Sequence, residues 1–439
     1  MGRWPMMVLL GTLILAGGSA CAQQERHATL FYTTNMEGNL VPCGCNPDAQ
    51  LGGVQARTHM VHQVRQSDPR GFLLSGGGLF GANPVTNRTV AEFIHKGLVL
   101  LDYDAIGLQW SDLVFGMEVP ANSGLPFVSG NGTGDHFPSE RLIERGGVAL
   151  LYSQWLNPAK TIKAGKGPPP YPVTDDFKAF VARLQDKAPK ALIVVGSDLE
   201  RSEAEKLPLA GIDILILRGA EVASEPFHLG QTLVLAPEQW GRFLGRLDLT
   251  LDGDGHILTF KHIEIPLEEP KEMPASLTQW HEAYQARLAE NRQKRMARRR
   301  AARKGIGLYA GIDKCTACHE KEVHGWRETI HEGAFETLEK PGKGADPVCL
   351  RCHTVGFGQE GGFVDITLDR HLAGVQCEAC HGPLGEHART GEALPQKLGR
   401  KNAEARCRGC HDAMHSPEFN WEEYTRKLDH CGLSQGAVK

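Results

Sequence analysis

Near its C-terminal end the sequence four times places two cysteines, separated by two residues, directly before a histidine. The sets are Cys315, Cys318 and His319; Cys349, Cys352 and His353; Cys377, Cys380 and His381; and Cys407, Cys410 and His411. Two thiols at this spacing can form thioethers to the two vinyl groups of one porphyrin, and the adjacent imidazole then lies beneath the iron as its proximal ligand. Zinc knuckles also use C-x-x-C pairs, but zinc gives no reason for a His directly after every pair. Four covalently attached haem c groups are therefore expected. Ten histidines follow Gly305; beyond the four proximal ones, His324, His331, His371, His387, His415 and His430 are candidates for the far side of the irons. Four bis-histidine haems need four of these six, and His324, only five residues past His319, reads equally well as a surface residue.

A second thiol pair lies far away, in "VPCGCN": Cys43 and Cys45, one residue apart on the loop after a first strand-like run. On extended backbone such residues project to the same side, so they could face one metal or one substrate. They could also close on each other in a tight, easily reduced disulfide, and Cys431 is a further thiol partner. Disulfide, metal or sulfur-type ligand site, and inert thiols all stay open.

The elements that must carry these residues fall into three stretches behind a leader. Residues 1–22 hold Arg3, an apolar run from Met6 to Ala16 and then small residues, the pattern of a secretory signal. Cleavage after Ala22 and lipidation of Cys21 both fit it. The apolar core is too short to span a bilayer and no later run is long enough, so an exported, periplasmic protein is expected, soluble or tethered by lipid. Residues 28–267 alternate short apolar runs ("ATLFYTTN", "GFLLSGG", "DAIGL", "VALLYSQW", "ALIVVGS", "DILILRG", "TLVLAP") with helix-like stretches such as "GGVQARTHMVHQVRQ", the signature of an α/β domain with its sheet faces covered.

Residues 268–305 form a basic connector. From Ser276 to Gly305 no Pro or Gly interrupts until the end, so one long helix is expected. Its last turns carry nine basic residues, Arg287, Arg292, Lys294, Arg295, Arg298, Arg299, Arg300, Arg303 and Lys304, against one acid, Glu290. That reads as a solvated linker helix or as a surface for an acidic redox partner or the haem propionates. Residues 306–439 are the haem segment, whose core must be mostly porphyrin. Net charge is −4 over 439 residues, so neither nucleic acid nor another polyanion is an expected partner.

"YAGIDKCTACH", "TIHEGAFETL", "VCLRCHTVGFG", "HLAGVQCEACHGPLGEH" and "CRGCHDAMHSPEFNWEEYTRKLDH", from Tyr309 to His430, resemble the tetrahaem cytochrome c554 family. The resemblance implies that His331 ligates a neighbouring haem, that His387 is a distal ligand, and that His415 or His430 serves in the terminal segment. In some family members one haem lacks a sixth ligand.

The order "FYTTN…GGVQAR…LLSGGGLFG…DYDAIGLQWSDLVFG…PFVSGN…GVALLYSQ…GIDILILRG…GRFLGRLDLTLDGDG" resembles the catalytic domain of the 5'-nucleotidases and related metallophosphoesterases, which bind two metals through Asp, His and Asn on strand-end loops. Here Met36, Glu37 and Gly38 replace Asp-x-His, and the second metal Asp falls at Gly77 or Gly78. The Asn-His pair falls on Trp110 and Ser111, and the late His loops on Gly196 to Asp198 and Arg218 to Glu221. Glu37 and Asp112 lie nearby and read as solvated loop residues.

Together the resemblances imply an α/β metallophosphoesterase-like sandwich domain without its metal ligands, a long connecting helix, and a mostly α, haem-packed multihaem cytochrome c domain. The expected function is electron transfer between redox proteins. The alternative is an oxidoreductase acting on a small nitrogen or sulfur compound at an open haem or at the Cys43/Cys45 loop.

Overall fold

In a computed structural model of the chain, the described residues are 25–42, 50–80, 88–161, 171–219, 224–301, 307–339, 342–392, 400–412 and 415–427. The leader with Cys21, the Cys43/Cys45 loop, Arg303 and Lys304, and the C-terminal residues with His430 and Cys431 lie outside them.

Among the described residues, twelve strands make two six-stranded sheets. The first contains β1 (Arg26–Thr33), β2 (Phe72–Ser75), β3 (Ala105–Gly107), β4 (Phe127–Val128), β11 (Phe243–Leu251) and β12 (Ile257–Pro266), in the order β12-β11-β1-β2-β3-β4. The second contains β5 (Glu140–Arg145), β6 (Val148–Trp155), β7 (Leu192–Ser197), β8 (Ile214–Ile216), β9 (Ser224–Leu229) and β10 (Thr232–Ala236), in the order β5-β6-β7-β8-β10-β9. Central pairs such as β1–β2 and β6–β7 are parallel, while β11–β12, β5–β6 and β10–β9 at the edges are antiparallel.

Alternation along the strands sets the layers. Leu30 and Tyr32 of β1 turn toward Leu150, Tyr152, Val194 and Ile216 of the other sheet, making the sandwich core. Phe31 and Leu73 point the other way, under α1 (Gly53–Ser67) and α2 (Arg88–Leu98). Helix Phe177–Lys187 covers the outer face of the second sheet through Phe180 and Leu184 against Leu151 and Ile193. Every central strand is thus buried on both sides, which is why these runs are continuously apolar. The β11–β12 hairpin escapes that test because β12 is largely exposed.

The long helix spans Ala275–Ala301. Its first half is not solvated: Leu277, Trp280 and Tyr284 are buried on the sandwich, with Trp280 Nε1 donating to the Phe93 carbonyl at 2.9 Å. Its second half runs onto the C-terminal domain, where Arg292 and Arg299 pair with the buried Asp365 and Asp369. The expectation of a solvated linker is therefore corrected: the helix is a strut seated on both domains. The C-terminal domain consists of short helices around one apolar cluster of six buried residues, Phe335, Leu338, Leu350, Val355, Phe363 and Leu372. For a segment of this length that is a sparse core.

Candidate functional site

Each C-x-x-C-H stretch closes as a single helical turn. The His319 N–H donates to the Cys315 carbonyl at 2.9 Å and the His411 N–H to the Cys407 carbonyl at 2.8 Å, while the other two motifs end helix Pro347–His353 and form helix Cys377–His381. One turn brings positions i, i+3 and i+4 to one face. Both thiols and the imidazole of a motif therefore face the same place. Asp346 caps the second motif's helix by accepting the Val348 N–H at 2.9 Å, with Pro347 in the first turn.

Residues within and just before the motifs tie them together. Glu378, inside the third motif, accepts the N–H groups of Ala310, Gly311 and Leu384 at 2.8–3.0 Å, and Gln376 accepts that of Ile312 at 2.7 Å. These bonds fix the first motif against the third. Arg406, just before Cys407, donates to the Cys380 carbonyl at 2.6 Å and joins the fourth motif to the third. Sequence reasoning missed all three residues, because nothing in a spacing pattern marks which residues within or beside a motif bond backbone.

The thiols meet across motifs. Cys315 contacts Cys377 and Cys352 contacts Cys410; the Cys352 thiol bond lowers Cys410 to about 7, while Cys352 itself is held high by the same bond and by burial. Burial also pushes Cys349 up to about 12. The motifs thus associate first with third and second with fourth. A cavity of about 1060 Å³ opens beside them, lined by Cys349, Cys352, Cys380, Cys407 and Cys410, and by His331, His353, His411 and His415. It lies at the upper end of ligand-pocket volumes of roughly 300–1,000 Å³.

Two imidazole pairs face each other. The rings of His319 and His387 have centroids 6.0 Å apart, as do those of His331 and His411. A metal bonded at about 2 Å to one nitrogen of each ring would hold the centroids about 6 Å apart. Nδ1 of His387 lies 2.6 Å from the Glu392 carbonyl and Nδ1 of His353 lies 2.5 Å from the Ala334 carbonyl. A carbonyl only accepts, so Nδ1 carries the proton and Nε2 is the ligating nitrogen. Burial holds His331 and His411 below the ordinary imidazole value, in the neutral form that a ligand needs.

Of the other histidines, His415 lines the cavity and bonds Asp412 at 2.7 Å, while His371 lies against Gly311. His324 is 76% exposed beside Glu328, as a surface residue would be. The donor set, four thiol pairs each with an imidazole on one face and two further imidazoles placed opposite, fits covalent haem. In that arrangement the motif cysteines would carry the porphyrins, and the haem would supply one-electron chemistry at iron.

The sandwich contributes one wall of the same cavity through Glu37, Gly38, Asn39, Leu40, Val41 and Trp240. These residues lie on the strand-end loops where the phosphoesterase metals were expected to be lost. The reading of Glu37 and Asp112 as solvated is overturned. Asp112 is fully buried and accepts the backbone N–H groups of Gly78, Leu79, Phe80 and Gln109 at 2.7–3.3 Å. Glu37 has a left-handed backbone (φ 49) and meets Arg218 at 3.4 Å. Its carboxyl is raised by burial, lowered by Arg218, and raised again by Asp412, the residue after His411. A Cβ on Gly78 (φ +71) would lie 2.2 Å from Asn35 Oδ1, and one on Gly77 2.1 Å from the Gly107 carbonyl oxygen. No side chain fits where an Asp ligand would stand. Trp110 is a core residue whose Nε1 donates to the Asn157 carbonyl at 2.8 Å.

A multihaem c-type domain behind a metallophosphoesterase-like sandwich is the class these features define. Residues 314–382 match the family cytochrome c554 and c-prime and form a cytochrome c554 domain. The chain is similar to cytochrome c-554 of Nitrosomonas europaea, 33% identical over 135 residues covering 24% of this chain and 57% of that protein. It is also similar to the multihaem cytochrome MtrA of Shewanella baltica, 38% identical over 81 residues covering 16% of this chain and 24% of that one. The chain therefore spans little more than half of the first relative's length and a quarter of the second's. In fold, it is similar to a 5'-nucleotidase precursor from Thermus thermophilus, with a TM-score of 0.51 at 20% identity over 60% of this chain and 59% of that one. The sulfate thiohydrolase SoxB of Thermus thermophilus aligns with a TM-score of 0.50 at 18% identity over 60% and 61%. No described helix is long and apolar enough to cross a membrane.

Proposed function

We propose that this protein is an exported four-haem c-type cytochrome that passes electrons between redox partners, with a phosphoesterase-fold domain that closes one side of the haem cavity and performs no phosphoester hydrolysis. The observation that carries this reading is the pair of imidazole couples, His319 with His387 and His331 with His411, each 6.0 Å apart over motif cysteines. In this reading both couples are axial pairs of low-spin haems. Arg298 and Arg300, both exposed on the long helix, are the surface for an acidic partner. Cleavage of the leader gives a periplasmic protein, tethered by lipid if Cys21 is the modified residue.

Mass spectrometry of the purified holoprotein tests the haem number, with four per chain expected. His331→Ala and His387→Ala each test an axial assignment. In either variant one of the four low-spin signals in electron paramagnetic resonance is expected to be replaced by a high-spin one. Four unchanged low-spin signals in both variants would sink the assignment. Metal-dependent release of phosphate from a nucleotide would overturn the loss of hydrolytic activity.

One contact favours the second reading, in which Cys43 and Cys45 take part in redox chemistry. Lys343 Nζ, six residues before Cys349, donates to the Pro42 carbonyl at 2.7 Å, and Pro42 directly precedes Cys43.

A further inference from the structure

The sandwich holds three tryptophans, and two of them, Trp110 and Trp155, are buried in its apolar clusters. The third, Trp240, belongs to none of those clusters; it is half-buried and lines the cavity shared with the C-terminal domain. Its Nε1 is covered and meets no acceptor among the described residues, so no side-chain hydrogen bond holds the ring where it stands. The backbone holds it instead. Trp240 has φ 72, a left-handed conformation that a bulky side chain disfavours. Asn39 Nδ2 donates to its carbonyl at 3.2 Å, Arg57 Nη2 donates to the Gly241 carbonyl at 3.2 Å, and Glu238 pairs with Arg242 across it. Four non-glycine residues among those described have positive φ, and three of them, Asn35, Glu37 and Trp240, stand at these strand ends. Strained backbone of this kind persists where its surroundings over-determine it, and it gathers at binding sites.

The strain presents a flat, largely apolar plate to the cavity. A Cβ on Gly241 would lie 3.1 Å from Cα of Met36, so the Trp240 loop touches the loop of Glu37. Glu37 in turn feels the charge of Asp412, the residue after His411. Cys407, Cys410 and His411 line the same cavity as Trp240. An indole gains most by laying its face against another extended ring, and the group that these cysteines and imidazoles fit is a porphyrin. We infer that Trp240 is the sandwich's contact with a porphyrin, that of the haem carried by Cys407 and Cys410, an inference that rests on the reading of the C-x-x-C-H motifs as haem sites. Its role is to keep water from that haem. The phosphoesterase-fold domain then serves the cytochrome through a side chain of its own.

The test uses full-length holoprotein as the parent, Trp240→Gly and Trp240→Phe, with haem counted first in each by mass. A count that does not match the motifs tells against the haem reading and not against Trp240. With four haems present, midpoint potentials are taken by spectroelectrochemical titration and stability by urea unfolding. Glycine removes the ring and accepts the left-handed backbone, so the urea midpoint of the sandwich is expected to hold or rise. One of the four haem midpoints is expected to fall, since water admitted beside a haem favours the charged ferric state. The other three are expected to stay in place. Trp240→Phe, which keeps an aromatic face, is expected to keep most of that potential. Four unmoved potentials in Trp240→Gly, or one that rises, would overturn the inference, because a merely structural tryptophan changes the urea midpoint and no haem. So would an equal shift at all four haems, or a loss in Trp240→Phe as large as in Trp240→Gly. Should the Gly variant not fold, fluorescence of Trp240→Phe decides. A tryptophan stacked on porphyrin is quenched, so the folded Phe variant is expected to emit as the parent does, and a fall in emission overturns the contact.

Discussion

Asp112 gathers four backbone N–H groups onto one carboxylate at the strand ends. Its burial was not legible in the sequence, because burial of a single acid leaves no pattern. Asp112→Ala leaves four buried donors without an acceptor, a loss of about 3 kcal/mol or more. Urea unfolding should show a lower midpoint at unchanged slope, and an unaltered midpoint would remove Asp112 from this role. Glu37 carries the opposite lesson. Its carboxyl, raised by burial and by Asp412 against the opposing pull of Arg218, keeps its proton to higher pH than in the unfolded chain. On stability the sign is negative: folding loses free energy as pH rises from the unfolded value of 4.5 through the higher folded one. In the four-haem reading, reduction of a haem at His411 would add negative charge beside it and draw a proton to Glu37. The midpoint of that haem should therefore fall as pH rises through this range, and Glu37→Gln should flatten the slope. A slope identical in Glu37→Gln would rule Glu37 out as the coupled group.

At the scale of elements, legibility followed burial. The central strands β1, β2, β6, β7, β8 and β10 stood out in the sequence because parallel strands covered on both faces are continuously apolar. The β11–β12 hairpin did not, since half of it faces solvent. The helices of the C-terminal domain were invisible to periodicity, being one or two turns long around a core of only six buried side chains. The C-x-x-C-H spacing was fully legible as local chemistry. The facing of His319 with His387 and of His331 with His411 was not derivable from spacing, for each joins segments far apart in the chain; the resemblance marked His331 and His387 as ligands without saying which motif each faces. The long helix was legible as a helix, yet its seats were not. Arg299 holds Asp369, whose side chain is 2% exposed and whose remaining oxygen accepts the Val364 N–H. Arg299→Ala strands that buried charge, at about 3 kcal/mol. The Soret-detected unfolding transition is expected to move to lower urea while the transition of the sandwich stays in place; coincident, unshifted transitions would show that the strut does not stabilise the haem domain.

Over the whole molecule, the sandwich and the C-terminal domain share one cavity, and the strand-end loop from Glu37 to Val41 faces cysteines and imidazoles. That geometry bears on the thiols of Cys43 and Cys45. Reduction of a disulfide takes two electrons and two protons and yields two thiols, whereas each haem carries one electron. In the four-haem reading, the second and fourth motifs, brought together by the Cys352–Cys410 contact, would supply two such carriers. Lys343 joins the second motif's segment to the residue before Cys43. If the pair exchanges electrons with the haems, its redox state must follow theirs at equilibrium. Holoprotein poised at a series of potentials, quenched and alkylated, should therefore show labelling of Cys43 and Cys45 that rises two thiols at a time as the haems are reduced. Lys343→Ala should slow that rise without moving its midpoint, because the contact affects the path and not the end states. Labelling that stays constant across the full haem titration would exclude the thiols from equilibrium electron exchange and leave electron transfer to the haems alone.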